Sequence, residues 1–251
     1  MAYTIAVAGK GGTGKTAVSS LIVAQLIKDG KSPVLAIDAD PNSNLNERLG
    51  VELIQTLGDL EAKVLGSGKD VPVGMDKHRY VEYQLQTCLM EETGFDLLAM
   101  GRTEGPGCYC SVNNILRDFI DNLTPNYKYV VMDNEAGMEH LSRRTTRDVN
   151  LLLMVSDATL VGVRAAGRIH EMEQGLEIDV AESYLVVNRA NGDLHESVAA
   201  EIEKTGLKLL GTVPIDENIA EYSIDSKSFL LLPDDSPARV AVRKLLDAVA
   251  I

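Results

Sequence analysis

The sequence predicts a doubly wound α/β fold: a mostly parallel sheet of about seven strands with helices on both faces. Three observations carry this expectation. Short apolar runs recur along the 251 residues, and most are continuous rather than alternating, as strands covered on both faces must be. Amphipathic stretches separate these runs through short connectors, the order produced by right-handed strand–helix–strand crossovers. The first run, Thr4–Ala8, leads through a glycine-rich turn into a helical pattern that stops at Gly30.

Taken in order, Thr4–Ala8 is the first strand and a helix follows from about Gly14 to Asp29. Val34–Ile37 is the second strand. Residues 50–80 contain Gly58, Gly66, Gly68, Pro72 and Gly74, so an irregular excursion is expected there, with a helix over Tyr80–Glu92. Phe95–Met100 reads as a strand. Behind Ser111, an N-cap residue, Val112, Ile115, Leu116, Phe119, Ile120 and Leu123 recur at helical spacing. Further strands are expected at Tyr129–Met132, Leu151–Val155, Tyr184–Val187 and Leu209–Val213. Helices fill Ala165–Gln174, Glu196–Thr205 and Arg239–Val249, the last entered through Ser236-Pro237. No repeat or linker-like break interrupts the series, so residues 1–251 read as a single domain.

Composition narrows the function. With 24 basic and 37 acidic residues the net charge is −13, and no local basic patch offsets it, which argues against nucleic acid as a partner. Aromatics make up only 4% and Trp is absent, so a base-stacking platform is not expected. No apolar run approaches the roughly 18 residues of a membrane span, and the N-terminal stretch lacks the pattern of a signal peptide. No membrane partner and a cytoplasmic location are therefore expected.

Gly9, Lys10, Gly11, Gly12, Thr13, Gly14, Lys15 and Thr16, with Ala17 behind them, match G-x-x-x-x-G-K-[ST] between a predicted strand and a predicted helix. Glycines let backbone N–H groups close around phosphate oxygens, and the helix N-terminus adds partial positive charge. Lys15 is expected on the β- and γ-phosphates and Thr16 on Mg²⁺, which places the fold in the P-loop NTPase class. Asp38 and Asp40 follow the second strand, at the carboxyl end of the sheet where ligands of α/β folds bind. Val130-Val131-Met132-Asp133 ends a buried run on a carboxylate, the Walker-B arrangement, so Asp133 is expected to hold Mg²⁺ through water.

The loop form K-G-G-x-G-K-T resembles the deviant phosphate loop of the MinD/ParA/nitrogenase-iron-protein group. That resemblance implies ATP or ADP as the nucleotide and a nucleotide-sandwich homodimer in which Lys10 reaches the partner's phosphates. Asp38-Ala39-Asp40-Pro41, with Asn44 and Leu45, matches the group's first switch. There Asp40 would position or deprotonate the attacking water, and Asp38 would contact the Mg²⁺ shell. Asp133-Asn134-Glu135-Ala136-Gly137 stands where the group has D-x-P-A-G, with Glu135 in place of proline. Tyr184–Asn188-Arg189 and Val213-Pro214-Ile215-Asp216 resemble the base-binding elements. By that likeness Asn188 reads the adenine edge, and the backbone of Pro214–Asp216 packs around it.

There are three cysteines. Cys88 reads as a buried core thiol. Cys108 and Cys110 follow Gly105-Pro106-Gly107 and precede the Ser111-capped helix, whose N-terminus favours thiolates. Two thiolates make half of a tetrahedral site, the four histidines (His78, His140, His170 and His195) are scattered, and a two-fold dimer would supply the other half. Glu104–Cys110 and Asp133–Thr145 resemble the CooC-type nickel-insertion ATPases. The resemblance implies binding of Ni²⁺, with Zn²⁺ as competitor, and a carbon monoxide dehydrogenase or acetyl-CoA synthase client. It leaves open a MinD/ParA-like positioning ATPase and an iron–sulfur scaffold or reductase.

Overall fold

A computed structural model describes residues 2–66, 77–102, 118–135, 148–173 and 179–251. Eight strands form one sheet: β1 (Tyr3–Ala8), β2 (Val34–Asp38), β3 (Leu89–Glu92), β4 (Phe95–Ala99), β5 (Tyr129–Asp133), β6 (Asp148–Asp157), β7 (Asp179–Ala190) and β8 (Lys208–Pro214). Their spatial order is β3-β4-β2-β5-β1-β6-β7-β8. Every pairing is parallel except β3 with β4, which is antiparallel.

The described helices are α1 (Lys15–Lys28), α2 (Leu45–Leu49), α3 (Leu57–Gly66), α4 (Lys77–Gln86), α5 (118–123), α6 (Leu160–Glu173), α7 (Glu196–Thr205), α8 (Glu217–Ile224) and α9 (Pro237–Ala248). The period of two along β1 divides its apolar residues between two cores. Ile5 and Val7 join α1, α2 and α9 through Leu21, Leu45 and Val242, with Phe229 fully buried among them. Ala6 and Ala8 face α3, α4, α6 and α7 through Leu60, Leu85, Val163 and Ile202. A central strand with both faces covered needs an unbroken apolar run, which Thr4–Ala8 supplies.

Three expectations are corrected. Among the described residues the sheet has eight strands rather than about seven, with the fold class as expected. The helix expected over Tyr80–Glu92 ends at Gln86, and Leu89–Glu92 turns back as β3, with Glu92 opposite Phe95 across a Thr93-Gly94 hairpin turn. The excursion over 50–80 contains helix α3: Thr56 caps it by accepting from the Asp59 N–H at 3.1 Å, while Asp59 accepts from the Thr56 N–H at 2.9 Å. Ser111 and the first part of the helical pattern it introduces lie outside the described residues.

The sheet order places β1 between β5 and β6, while the chain runs from β1 to β2 on one side and from β5 to β6 across β1. Ligands of such sheets bind beyond the strand carboxyl ends at this crossing. The glycine-rich loop leaves β1 at that place.

Candidate functional site

The loop is folded by close backbone approaches. Gly9 has φ +149°, and a Cβ there would lie 2.2 Å from the Val155 carbonyl oxygen of β6. Gly14 has φ +90°, and a Cβ would lie 2.2 Å from Nδ2 of Asn188. Both positions need glycine because backbone or a bonded side chain occupies the space. Within the loop, Thr13 donates from Oγ1 to the Lys10 carbonyl at 2.9 Å. Lys15 Nζ donates to the same carbonyl at 3.4 Å.

Helix α1 begins at Lys15 with no side-chain cap and no acidic residue in its first turn. Its N-terminal amides therefore face the loop cavity with their partial positive charge unopposed from within the helix. Lys15 is buried while Lys10 is exposed. Burial lowers the Lys15 pKa against the opposing pull of Asp133, Asp40 and Glu135.

Two carboxylates meet beside the loop. Asp38 and Asp133 are register partners at the ends of β2 and β5, and Val7 of β1 stands beside Asp133. Both aspartates are buried. Asp38 accepts the Leu45 N–H at 2.8 Å and the Asp40 N–H at 3.0 Å, which ties α2 and the Asp40 turn to β2. Burial pushes Asp38 up to about 7 against those two hydrogen bonds, with repulsion from Asp133 and Asp40 adding to the rise. Asp133 accepts from Ser19 Oγ at 3.0 Å and from the Thr16 side chain. Burial raises it to about 6 in spite of those bonds and of Lys15.

Ser19 was not singled out from the sequence. Its signal is its place one helical turn beyond Thr16, on the face that meets β5. Asn134 was likewise passed over: its Nδ2 donates to the Val7 carbonyl at 3.0 Å, and its buried Oδ1 has no hydrogen-bond partner among the described residues.

Asp40 faces the site closely enough to act electrostatically on Lys15 and Asp133. Its Oδ1 accepts from the Asn42 N–H at 2.8 Å and from Asn42 Nδ2 at 3.1 Å. Thr16, Lys15, Asp38, Asp40 and Asp133 therefore come together around the loop. Oxygen ligands of this kind, a hydroxyl and carboxylates destabilised by burial, suit a hard divalent cation. A cation there would offset the burial that raises both pKa values and the smaller repulsion that adds to it.

The segments expected at the base behave differently. Asn188 Nδ2 donates to the Thr13 carbonyl at 2.8 Å, and Arg189 Nη1 donates to the Gly12 carbonyl at 3.1 Å. Asn188 Oδ1 accepts the Arg189 N–H at 2.9 Å. The end of β7 thus grips the phosphate loop from outside, and one N–H of the Asn188 amide remains for a ligand. Pro214 ends β8. Asp216 is a double cap: one carboxylate oxygen accepts from the Asn218 N–H at 2.9 Å at the start of α8, and the other accepts from the Ala238 N–H at 3.0 Å at the start of α9. Burial opposes its charge, yet bonds from the Ser236 hydroxyl, Ala238 and Asn218 outweigh burial and hold its carboxyl below the usual range.

Cys108 and Cys110 lie outside the described residues, as does the stretch from Ala136 to Thr145. Cys88 is fully buried, with its thiol directed at the carbonyls of Gln84 and Thr56.

The sequence matches the CobQ/CobB/MinD/ParA nucleotide binding domain over residues 4–229. It is 42% identical to an uncharacterized ATP-binding protein of Methanocaldococcus jannaschii, covering 98% of this chain and 97% of that one. It is 30% identical to the carbon monoxide dehydrogenase accessory protein CooC of Rhodospirillum rubrum, over 69% of this chain and 70% of that one. The fold superposes on a ParA family ATPase of Chlorobium tepidum with TM-score 0.73 and 21% identity, covering 100% of both chains. It also superposes on the septum site-determining protein MinD of Pyrococcus horikoshii in complex with Mg-ADP, with TM-score 0.67 and 20% identity over 99% of this chain and 96% of that one.

Proposed function

Because this chain belongs to the CobQ/CobB/MinD/ParA family of nucleotide-binding domains, we propose that it is a Mg²⁺-dependent ATPase whose cycle drives nickel delivery to carbon monoxide dehydrogenase or acetyl-CoA synthase. Phosphoryl transfer asks little covalent chemistry of a protein. It asks for an oriented water and concentrated positive charge. The loop amides and Lys15 bind the β- and γ-phosphates. Asp40, held by Asn42, orients the attacking water. Thr16, Asp133 and Asp38 would hold Mg²⁺, which would supply charge neutralisation at the phosphate oxygens. Lys10, exposed on the loop rim, extends to the phosphates bound by a second copy. Asn188 and the Pro214–Asp216 backbone flank the adenine.

Nickel is the cargo in this reading, with Zn²⁺ as its competitor. Cys108 and Cys110 of two copies provide four thiolates on the two-fold axis, the number a tetrahedral site needs. One observation carries the proposal: a deviant phosphate loop and a C-x-C motif occur in one chain that shares 30% identity with an accessory protein of carbon monoxide dehydrogenase. A membrane-positioning role, the alternative, needs an apolar helix face to lay on lipid. Helix α9 turns Ala238, Val242, Leu245 and Leu246 into the core. A cytoplasmic location fits the nickel reading.

The test is nickel stoichiometry of the wild type and of the Cys108→Ser/Cys110→Ser double variant, with and without ATP. The proposal expects about one ion per two chains, lost in the variant. Unchanged nickel binding by the variant refutes it.

A further inference from the structure

The geometry points to Arg102 as a positioning residue for Asp40, acting through Asn42. The inference rests on the ATPase reading above and adds a residue that no phosphate-loop or switch motif contains. Arg102 Nη2 donates to Asn42 Oδ1 at 2.9 Å, across 60 residues of sequence. The same Asn42 side chain, together with its backbone N–H, donates to Asp40 Oδ1. Both ends of the Asn42 amide are thus engaged, and the three side chains form a line from the end of β4 to the carboxylate that faces Lys15.

The two ends of this line differ in firmness. Arg102 is anchored through its backbone: the Gly58 N–H donates to the Met100 carbonyl at 2.8 Å, and a Cβ at Gly58 would lie 2.1 Å from the Arg102 carbonyl oxygen. Gly101 is packed as closely against Thr56, at 2.2 Å from a built Cβ to Oγ1. The start of α3 therefore fixes the position from which the guanidinium reaches out. The Asp40 turn is less secure. Ser43, which closes it by donating its N–H to the Asp40 carbonyl at 2.9 Å, sits at φ +47°, and its buried Oγ has no hydrogen-bond partner among the described residues. A non-glycine residue in the left-handed region persists only where its surroundings hold it. Arg102 supplies that hold from outside the turn, so the direction of the Asp40 carboxylate depends on it.

Steady-state ATP hydrolysis by Arg102→Ala, Asn42→Ala, the double variant and Arg102→Lys tests the relay, with hydrogen exchange at the Asn42 and Ser43 amides as a readout independent of turnover. Arg102→Ala is expected to lower kcat by roughly fivefold with KM little changed, the effect on rate of one ordinary net hydrogen bond. Arg102→Lys should recover most of that loss, because an ammonium can still donate to Asn42. Arg102→Ala should add nothing in the Asn42→Ala background, and exchange at both amides should quicken. A kcat unaffected by Arg102→Ala, or an effect that multiplies with that of Asn42→Ala, overturns the relay. Absence of turnover in the wild type would strike the ATPase reading instead. The exchange arm then decides the relay alone, and unchanged exchange in Arg102→Ala overturns it.

Discussion

Asp38 and Asp133 stand opposite each other at the ends of adjacent parallel strands, both buried and both raised above the ordinary carboxylate pKa of 3.8, to about 7 and about 6. Two buried carboxyl groups in neighbouring register positions are an electrostatic cost that the fold carries without a ligand. The same cost makes the place receptive to a divalent cation.

The pair gives the nucleotide-free chain a pH dependence whose sign is fixed. Between 3.8 and the folded values the native state holds protons that the unfolded state has released. Their contribution to stability is fully present below the unfolded pKa and is lost as pH rises through about 6 to about 7. Melting temperature should therefore fall between about pH 4 and about pH 7 more steeply in the wild type than in Asp38→Asn, which mimics the protonated form. Mg-ADP should reduce the difference and release protons on binding, measurable by calorimetry in two buffers. Equal slopes for the two proteins would contradict this account.

Asn188 supports the loop from the neighbouring strand through its bond to Thr13. Asn188→Ala removes that bond and leaves the Thr13 carbonyl without this donor, at a cost of about 1 kcal/mol or more in loop preorganisation. Affinity for both ATP and GTP should fall by roughly fivefold or more, with ATP losing more under the proposal that the Asn188 amide reads the adenine edge. Titration with fluorescent analogues measures this. Unaltered affinity for both nucleotides would show that the loop keeps its shape unaided.

Asp216 gives the opposite pattern. Its carboxylate caps α8 and α9 together, so Asp216→Ala should cost about 1–2 kcal/mol of stability while leaving hydrolysis at the temperature of assay close to normal. Because its folded pKa is lowered, its stabilisation is present above the unfolded carboxylate pKa and is lost as pH falls through the folded value. The stability difference between wild type and variant should thus shrink in acid. Denaturant melts at neutral and acid pH measure it, and a difference that grows in acid would refute the capping role.

Much of the sheet was legible because a parallel strand covered on both faces has no choice but a continuous apolar run, as in Thr4–Ala8 and Tyr129–Met132. The phosphate loop was legible because its spacing constrains backbone geometry directly, and Gly9 and Gly14 make the close approaches within the loop. Leu89–Glu92 was misread as helix because the apolar residues of a short edge strand continue the spacing of the helix before it. The Thr93-Gly94 turn was the available signal against that reading. The role of Asp216 was hidden because one of the groups it caps, Ala238, lies 22 residues further on. The meeting of Arg102 with Asn42 was hidden for the same reason, since spacing along a chain carries no record of which loops the sheet brings together.

The central claim is that this loop and its carboxylates hydrolyse ATP. Steady-state phosphate release by the purified chain with Mg²⁺, compared with Lys15→Ala and Asp40→Ala, tests it most directly. Turnover by the wild type that drops by about 100-fold or more in each variant, with melting temperatures showing both variants folded, is the result predicted. Hydrolysis at the wild-type rate by either variant would contradict it.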